Sequence, residues 1–181
     1  MKRVVILILV VILFNFCNDG SMSFDSHDFW QQTNGPYHII YSLAINSSGH
    51  IFAGTDGYGV FRSTDNGVSW TQTSNYEVHC LAINSSEHIF VGTTVGVFRS
   101  IDNGDNWTQI NTGLKYNGLI HIWSLAINSS GYIFAATSEG FYRSTDNGDN
   151  WIQTTYTYGG GCLAINSNGN IFSGWFAGIT P

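Results

Sequence analysis

The tetrapeptide Leu-Ala-Ile-Asn occurs four times, and its spacing constrains the fold of this chain more than any other feature. The copies begin at Leu43, Leu81, Leu125 and Leu163, so they are 38, 44 and 38 residues apart (81 − 43, 125 − 81 and 163 − 125). Periods near 40 residues are typical of propeller blades and of solenoid repeats, in which each unit packs against its neighbours. The sequence therefore predicts a repeat protein.

Each repeat contains four short segments with the composition of β-strands. In the first repeat they are Ser42–Ile45, His50–Gly54, Gly59–Ser63 and Trp70–Thr73, separated by turns of Asn, Ser, Gly and Asp. The first two segments are almost wholly apolar, so we expect both faces of these strands to be buried. Nothing in the repeats has the 3.6-residue period of a helix. Four antiparallel strands in about 40 residues predict an all-β fold, the β-propeller.

The repeat boundaries predict a partial propeller over residues 24–181. Complete blades are expected over residues 42–74, 80–111 and 124–155, and a truncated fourth blade over 162–181. Trp30–Thr33 matches Trp70–Thr73, so we expect it to form a leading outer strand. Two ways of closing the ring remain open: the leading strand serves as the outer strand of the fourth blade in an incomplete four-bladed ring, or two chains pair as a homodimer into one seven-bladed ring. A further alternative is that the chain is a truncated fragment of a longer propeller without a function of its own.

The phrase Ser-x-Asp-x-Gly-x-x-Trp joins the third segment to the fourth in every complete repeat. Its residues are Ser63, Asp65, Gly67 and Trp70, then Ser100, Asp102, Gly104 and Trp107, then Ser144, Asp146, Gly148 and Trp151. The carboxylate can accept backbone N–H bonds about two residues further on, the glycine can adopt φ > 0, and the tryptophan can cover the blade. A catalytic carboxylate is needed once, whereas this one recurs in each blade, so we interpret it as structural. Calcium binding is the minor alternative, because the turn offers few ligands.

These phrases resemble the Asp-box, or BNR, repeats of sialidase-like and sortilin-like propellers. The whole repeat is similar to exported bacterial propellers grouped with photosystem II assembly factors and with xyloglucan-cleaving endoglucanases. The resemblance covers roughly Trp30 to Pro181 and is far more specific for fold than for function, because propeller sites lie on variable loops. It implies that Asp65, Asp102 and Asp146 shape turns on the face away from the ligand site.

Two enzyme classes that the resemblance suggests find little support in the residues. A sialidase would need three arginines converging on one carboxylate, yet Arg62, Arg99 and Arg143 occupy one repeat position and should lie along the rim. A glycosidase needs two carboxylates about 5–10 Å apart. Outside the Asp-box turns the repeats offer Asp56, Glu77, Glu87 and Glu139, of which all but Glu87 are expected on one loop face. We therefore expect no catalytic residues, and a sialidase-like or xyloglucanase-like hydrolase remains the alternative.

Histidine and cysteine spacing gives no sign of a metal site or a disulfide. The six histidines lack the paired spacing of zinc ligands, so we expect neither metal nor cofactor. Cys80 and Cys162 hold equivalent positions two repeats apart, too far for a bridge. We expect both to be buried free thiols.

The connectors between repeats vary in sequence, whereas the repeats barely change. Variable loops on a constant scaffold commonly carry function, and exposed aromatic rings suit stacking on sugars or docking of a peptide. The candidate ligand face comprises Tyr37, Tyr41, Asp56, Tyr58, Tyr76, Glu77, Tyr116, Trp123, Glu139, Tyr156 and Tyr158. The alternative for any one of the aromatic residues is that it packs between blades.

The N-terminus predicts export. Lys2 and Arg3 precede the apolar run Val4–Phe14, which is shorter than the roughly 20 residues of a transmembrane helix and fits a signal peptide over residues 1–23. Lipidation at Cys17 is the less favoured alternative, because Phe16 replaces the small residue expected before it. A membrane contact is expected only with the leader retained or Cys17 lipidated.

Charge and composition complete the functional prediction. The formal net charge is −6 with no basic patch, which argues against nucleic-acid binding. The sequence thus predicts a secreted or envelope-bound, non-enzymatic β-propeller that binds a glycan or a peptide.

Overall fold

The structure, a computed structural model, describes residues 33–115, 119–155, 161–175 and 178–180. From Asn34 onward these residues belong to one compact unit. The predicted signal peptide and Cys17 lie outside the described residues, as does the predicted leading strand except for Thr33. Tyr116, Tyr156 and Tyr158 of the candidate ligand face also lie outside them.

Fifteen β-strands form four antiparallel sheets in the described part of the chain. Blade 1 contains β1 (Ile40–Ile45), β2 (Ile51–Thr55), β3 (Gly59–Ser63) and β4 (Thr71–Gln72); blade 2 contains β5 (Val78–Ile83), β6 (Ile89–Thr93), β7 (Gly96–Ser100) and β8 (Thr108–Gln109). Blade 3 contains β9 (Ile122–Ile127), β10 (Ile133–Thr137), β11 (Gly140–Ser144) and β12 (Ile152–Gln153); blade 4 contains β13 (Cys162–Ile165), β14 (Ile171–Trp175) and β15 (Gly178–Thr180). Within each blade, every strand pairs with the next along the chain. The predicted all-β fold of four-stranded blades with a shorter fourth is confirmed.

The pairing register gives every blade two distinct ends. Ile51 lies opposite both Ile45 and Ser63, so the turn between the first two strands and the Asp-box turn share one end, the Asp-box end. Thr55 lies opposite Ile40 and Gly59, so the loop between the second and third strands shares the other end with the connectors between blades. We call this second end the connector end.

The hydrophobic core lies between blades rather than inside any one of them. One cluster joins Phe52 and Val60 of blade 1 to Val78 and Phe98 of blade 2. A second cluster joins blade 2 to blade 3 in the same way. Each blade is one twisted sheet without a core of its own, so neighbouring blades stabilise one another.

Two burial predictions are wrong, for one physical reason. The first strand of blade 1 is not buried on both faces: Leu43 is 40% exposed, whereas its equivalents Leu81 and Leu125 are 9% and 8% exposed. Those two leucines pack in the clusters between blades, while the described residues include no blade before β1. The buried-thiol prediction holds for Cys80 but fails for Cys162, which is free and exposed. Side chains in this fold are buried by the neighbouring blade. The sequence of one repeat therefore does not show which of its residues are buried.

A column of small residues sets the distance between blades. A Cβ atom on Gly92 would lie 2.5 Å from Cys80 Sγ and 2.6 Å from Ile122 Cγ2, because Ile122 of blade 3 packs directly on this glycine. Gly54 receives Val78 of blade 2 in the same way. Blade 3 has the buried Ala136 in this column. The backbone of one blade therefore approaches the side chains of the next closely enough to require glycine.

The Asp-box turn is closed by both oxygen atoms of its carboxylate. In blade 1 the Ser63 hydroxyl donates to Asp65 Oδ1 at 2.8 Å and accepts the Gly67 N–H at 2.8 Å. Asp65 Oδ1 accepts the Ser69 N–H at 2.9 Å and Oδ2 accepts the Ser69 hydroxyl at 2.6 Å. The backbone donor thus lies four residues after the aspartate, further than expected from the sequence. Two consecutive residues of this turn have a positive φ, which is 58° at Asn66 and 86° at Gly67.

These hydrogen bonds hold the aspartates in their charged form. Bonds from Ser69 and then Ser63 lower the pKa of Asp65 to about 2. Bonds from Asn106 and Asn150 likewise lower the pKa values of Asp102 and Asp146. Because an unfolded aspartate titrates near about 3.9, the turns contribute stability above that pH, and the contribution is lost as the pH falls toward the lowered values.

The Asp-box turns of blades 2 and 3 are also bound by the preceding blade. Arg62 Nη1 of blade 1 donates to the Asn103 carbonyl at 2.6 Å and to Asp105 Oδ1 at 2.8 Å in the turn of blade 2. Arg99 of blade 2 binds Asn147 and Asp149 of blade 3 at 2.7 and 2.9 Å. The third arginine, Arg143, is exposed and lies 5.9 Å from the Tyr132 ring centroid. The arginine column therefore links successive blades.

The first prediction concerns the small-residue column. Gly92→Ala is expected to lower the free energy of unfolding by about 1–3 kcal/mol, because the new methyl group overlaps Cys80 and Ile122. The matched control is Gly174→Ala, whose Cβ would meet Cys162 Sγ at 3.0 Å among the described neighbours. Urea unfolding measures both variants, and an equal loss in the two would contradict the proposed role of the blade interface.

The second prediction concerns the Asp-box serine. Ser100 is 1% exposed, donates to Asp102 Oδ1 and accepts the Gly104 N–H, both at 2.8 Å. Ser100→Ala should cost about 1–3 kcal/mol of unfolding free energy, because a buried N–H loses its acceptor. Ser85→Ala, at an exposed turn position, is the control and should change stability by less than about 0.5 kcal/mol. Thermal unfolding of the two variants provides the comparison.

Candidate functional site

The first strands of blades 1, 2 and 3 carry the same irregularity. The first strands of successive blades lie side by side. In blade 1 the register between β1 and β2 shifts around Tyr41, and in blade 2 the register between β5 and β6 shifts around His79. In blade 3, Ile122 and Ser124 face Thr137 and Ala136, leaving Trp123 as the unpaired residue. A β-bulge re-aims the side chain of its extra residue, so one bulge repeated in three blades presents three rings.

The three bulge residues, joined by His121, form a continuous aromatic row at the connector end. The rings of Tyr41 and His79 are nearly parallel, with centroids 5.9 Å apart, and His79 meets Trp123 edge-on at 5.7 Å. His121 stacks on Trp123 at 5.0 Å and lies 6.2 Å from His79. We refer to Tyr41, His79, His121 and Trp123 as the aromatic row. It crosses two blade interfaces, so its geometry depends on the packing of three blades.

Two carboxylates border the row. Asp56 follows β2, where its N–H donates to the Ile39 carbonyl at 3.0 Å, and the negative charge of its side chain acts on Tyr41. Glu77 precedes β5, and its Oε1 atom lies 3.7 Å from His79 Nε2. The charges of both carboxylates act on Tyr41 and on His79. The site is therefore an aromatic surface bordered by two negative charges.

Partial burial and these charges displace two pKa values. Desolvation raises the pKa of Tyr41, and the negative charges of Asp56 and Glu77 raise it further. Burial lowers the pKa of His79, an effect that Glu77 opposes and the neighbouring His121 reinforces. Near neutral pH the tyrosine is protonated and the imidazole of His79 is uncharged.

Part of the row is open and part carries unused hydrogen-bonding atoms. Trp123 is 41% exposed and Tyr41 is 49% exposed. His79 Nε2 and His121 Nδ1 are buried and make no hydrogen bond in the described structure. Buried polar atoms without partners are uncommon in folded proteins and call for an explanation. The exposed rings and the unpartnered nitrogens together mark a surface suited to a ligand.

The structure brings together four residues of the candidate ligand face: Tyr41, Asp56, Glu77 and Trp123. Tyr58 lies apart, stacked on His38 at 3.6 Å, and Tyr37 is fully on the surface at 89% exposure. The other described members are Tyr76 and Glu139. Tyr76 instead packs against Phe98 at 4.1 Å beside the core, and Glu139 is an exposed residue near Tyr142.

His79 and His121 are the functional candidates that sequence reasoning missed. A signal was present, because His79 stands two residues before its Leu-Ala-Ile-Asn copy, as do Tyr41 and Trp123. The histidines were considered only as metal ligands, so the position that His79 shares with Tyr41 and Trp123 was not recognised. Among the described residues, no group of three or more His, Cys, Asp or Glu is placed to hold a metal ion. No helix in the described part of the chain is long and apolar enough to cross a membrane.

Comparison with known proteins identifies the fold. No protein-family model and no curated protein sequence matches the chain. Among solved structures, the extracellular domain of BT4673 from B. thetaiotaomicron, described as a one component system, is 20% identical with a TM-score of 0.65; the match covers 86% of this chain and 22% of that one. An ancestral GH74 enzyme is 22% identical with a TM-score of 0.61, over 80% of this chain and 23% of that chain.

A third neighbour is YCF48 in its structure bound to D1 peptide. It is 18% identical with a TM-score of 0.55, and the match covers 75% of this chain and 46% of that one. The chain thus spans less than half the length of these three neighbours. At such identities the likeness shows the fold, and the predicted β-propeller is confirmed.

The third prediction concerns the coupling of Glu77 to His79. Glu77→Gln should lower the pKa of His79 further, because the glutamate charge is the larger of the influences that raise it. The pH titration of the His79 Cε1–H signal in nuclear magnetic resonance spectra measures this shift. Glu87→Gln, at the Asp-box end, is the control and should leave the titration unchanged. An unchanged titration in Glu77→Gln would mean that the two side chains do not interact.

Proposed function

We propose that this chain is an extracellular, non-enzymatic β-propeller module that binds a glycan or a peptide on the aromatic row. One observation carries the proposal: three blades contribute Tyr41, His79 and Trp123 through the same bulge to one row of rings. Rings that are partly exposed and held by packing are well suited to bind a ligand, because little side-chain entropy is lost on contact.

The placement of this row at the connector end supports the proposal. The Asp-box end is occupied by contacts between blades, such as those of Arg62 and Arg99 with the neighbouring turns. The connector end carries the variable loops, and loops on a rigid scaffold commonly carry binding residues. The aromatic row therefore lies at the end of the blades where the sequence varies from one repeat to the next.

The extracellular setting rests on sequence and on neighbouring folds. The predicted signal peptide over residues 1–23 directs export. Solved structures of similar fold include extracellular domains from B. thetaiotaomicron. The YCF48 structure with D1 peptide supports a peptide as one of the two ligand classes, since it is a propeller-type neighbour with a bound peptide.

Glycoside hydrolysis is the second candidate, and one observation favours it. Asp56 and Glu77 both border the aromatic row and act on the same tyrosine and the same histidine, as a carboxylate pair of a hydrolase would. A sialidase mechanism is disfavoured, because Arg62 and Arg99 are paired with Asp105 and Asp149. Hydrolysis would be established by release of reducing sugar from an oligosaccharide that the Asp56→Asn variant binds without cleaving.

The fourth prediction tests the binding surface. The protein is titrated with immobilised neutral oligosaccharides and with peptides, and the variant Trp123→Ala is expected to weaken binding at least about tenfold, because the largest exposed ring of the row is removed. Tyr132→Ala is the control, since Tyr132 is an exposed aromatic residue at the Asp-box end. Equal binding by wild type, Trp123→Ala and Tyr132→Ala would reject the aromatic row as the site.

A further inference from the structure

We infer that the aromatic row, with Asp56 and Glu77, is a binding site for an organic cation, the ammonium or guanidinium group of a larger ligand. This inference rests on the proposed function, in which the row is the binding surface, and it names the chemical class of the ligand. Two sources carry such a group, a lysine or arginine side chain of a peptide and the amino group of an amino sugar.

The first argument is the electrostatics of the rings. The face of an indole or phenol ring carries partial negative charge and attracts a cation within about 6 Å of the ring centroid. Trp123 and Tyr41 are 41% and 49% exposed, so both rings remain open to a ligand. His79 stands between them and is uncharged near neutral pH, because burial lowers its pKa. The ring that lies between the two exposed rings therefore does not repel a cation.

The second argument is the imbalance of charge at the connector end. Asp56, Glu77 and Glu139 lie there, with Lys115 as the one lysine or arginine that the described residues place at this end. Arg62 and Arg99 pair with Asp105 and Asp149 at the other end of the blades, where Arg143 also lies. Glu77 Oε1 lies 3.7 Å from Nε2 of His79, and because His79 is uncharged near neutral pH it does not neutralise the carboxylate. Cations are attracted to this surface and anions are repelled.

The third argument is the supply of hydrogen-bond acceptors. A carboxylate is an acceptor only. Asp56 and Glu77 supply carboxylate oxygens beside the exposed rings of Tyr41 and Trp123. Ammonium and guanidinium groups carry three and five N–H donors respectively. The donors of an organic cation match these acceptors, and an apolar ligand would leave them unsatisfied.

The fifth prediction tests this inference on the full-length protein. The probes are an arginine tripeptide with blocked ends, the same tripeptide with citrulline, a glucosamine oligomer and an N-acetylglucosamine oligomer of equal length. Binding is followed by the shift of the Trp123 indole N–H signal in nuclear magnetic resonance spectra. We expect the charged member of at least one pair to bind at least about tenfold more tightly than its neutral counterpart, and the pair that does so identifies the source of the cation.

Matched variants distinguish the effect of removing charge from the effect of unfolding the protein. The double variant Asp56→Asn with Glu77→Gln keeps the side-chain shapes and removes both charges, and it should weaken binding of the charged probe at least about tenfold. Glu87→Gln, at the Asp-box end, should bind like wild type. The melting temperature of each variant is measured alongside, so that a loss of binding in an unfolded protein is not counted.

Three outcomes decide between the two proposals. Discrimination against the neutral probes, lost in the double variant, supports the cation site. Equal binding of charged and neutral probes that depends on Trp123 overturns the cation site and leaves the proposed binding function intact. Absence of binding by every probe, with the neutral oligosaccharides and peptides of the fourth prediction also failing, overturns both.

Discussion

The docking of the Asp-box turns of blades 2 and 3 on the preceding blade is the interaction on which the rest of this structure depends. A blade is a single small sheet whose apolar faces must be covered by its neighbours. Ser100 and Asp102 fix the turn internally, and the fixed turn offers the Asn103 carbonyl and the Asp105 carboxylate to Arg62 of the blade before. The turn is thus both the end of one hairpin and the connection to the next sheet.

The geometry of the candidate site depends on this connection between blades. Ring distances of 5.0 to 6.2 Å along the aromatic row span three blades, so they are kept only while the first strands stay in register with one another. The Ser42 hydroxyl accepts the Leu81 N–H at 3.0 Å and helps to hold that register. Contacts at the Asp-box end and between first strands therefore position side chains at the connector end.

Sequence reasoning predicted the features that are encoded within a single repeat and missed those that depend on contacts between repeats. The strands, the Asp-box glycines and the aromatic residues Tyr41 and Trp123 are visible in one aligned repeat. The bulges are not, because a bulge is a property of the pairing between two strands. The exposure of Cys162 and the partnership of His79 with Tyr41 likewise depend on a neighbouring blade. Repeat equivalence predicts position along a strand, and the neighbour decides burial.

The small-residue column restricts how such a chain can change length during evolution. Val78 packs on Gly54 and Ile122 packs on Gly92, whereas Ala136 occupies the matching place in blade 3, and the sequence has Gly160 at the position of Val78 and Ile122 in the next repeat. A repeat with glycine in the column is thus followed by a repeat with valine or isoleucine at this second position. The repeat with alanine in the column is followed by one with glycine there. A duplicated copy of blade 2 inserted after blade 3 would set a valine against Ala136, so gene duplication within this array requires paired substitutions on both sides of each new junction.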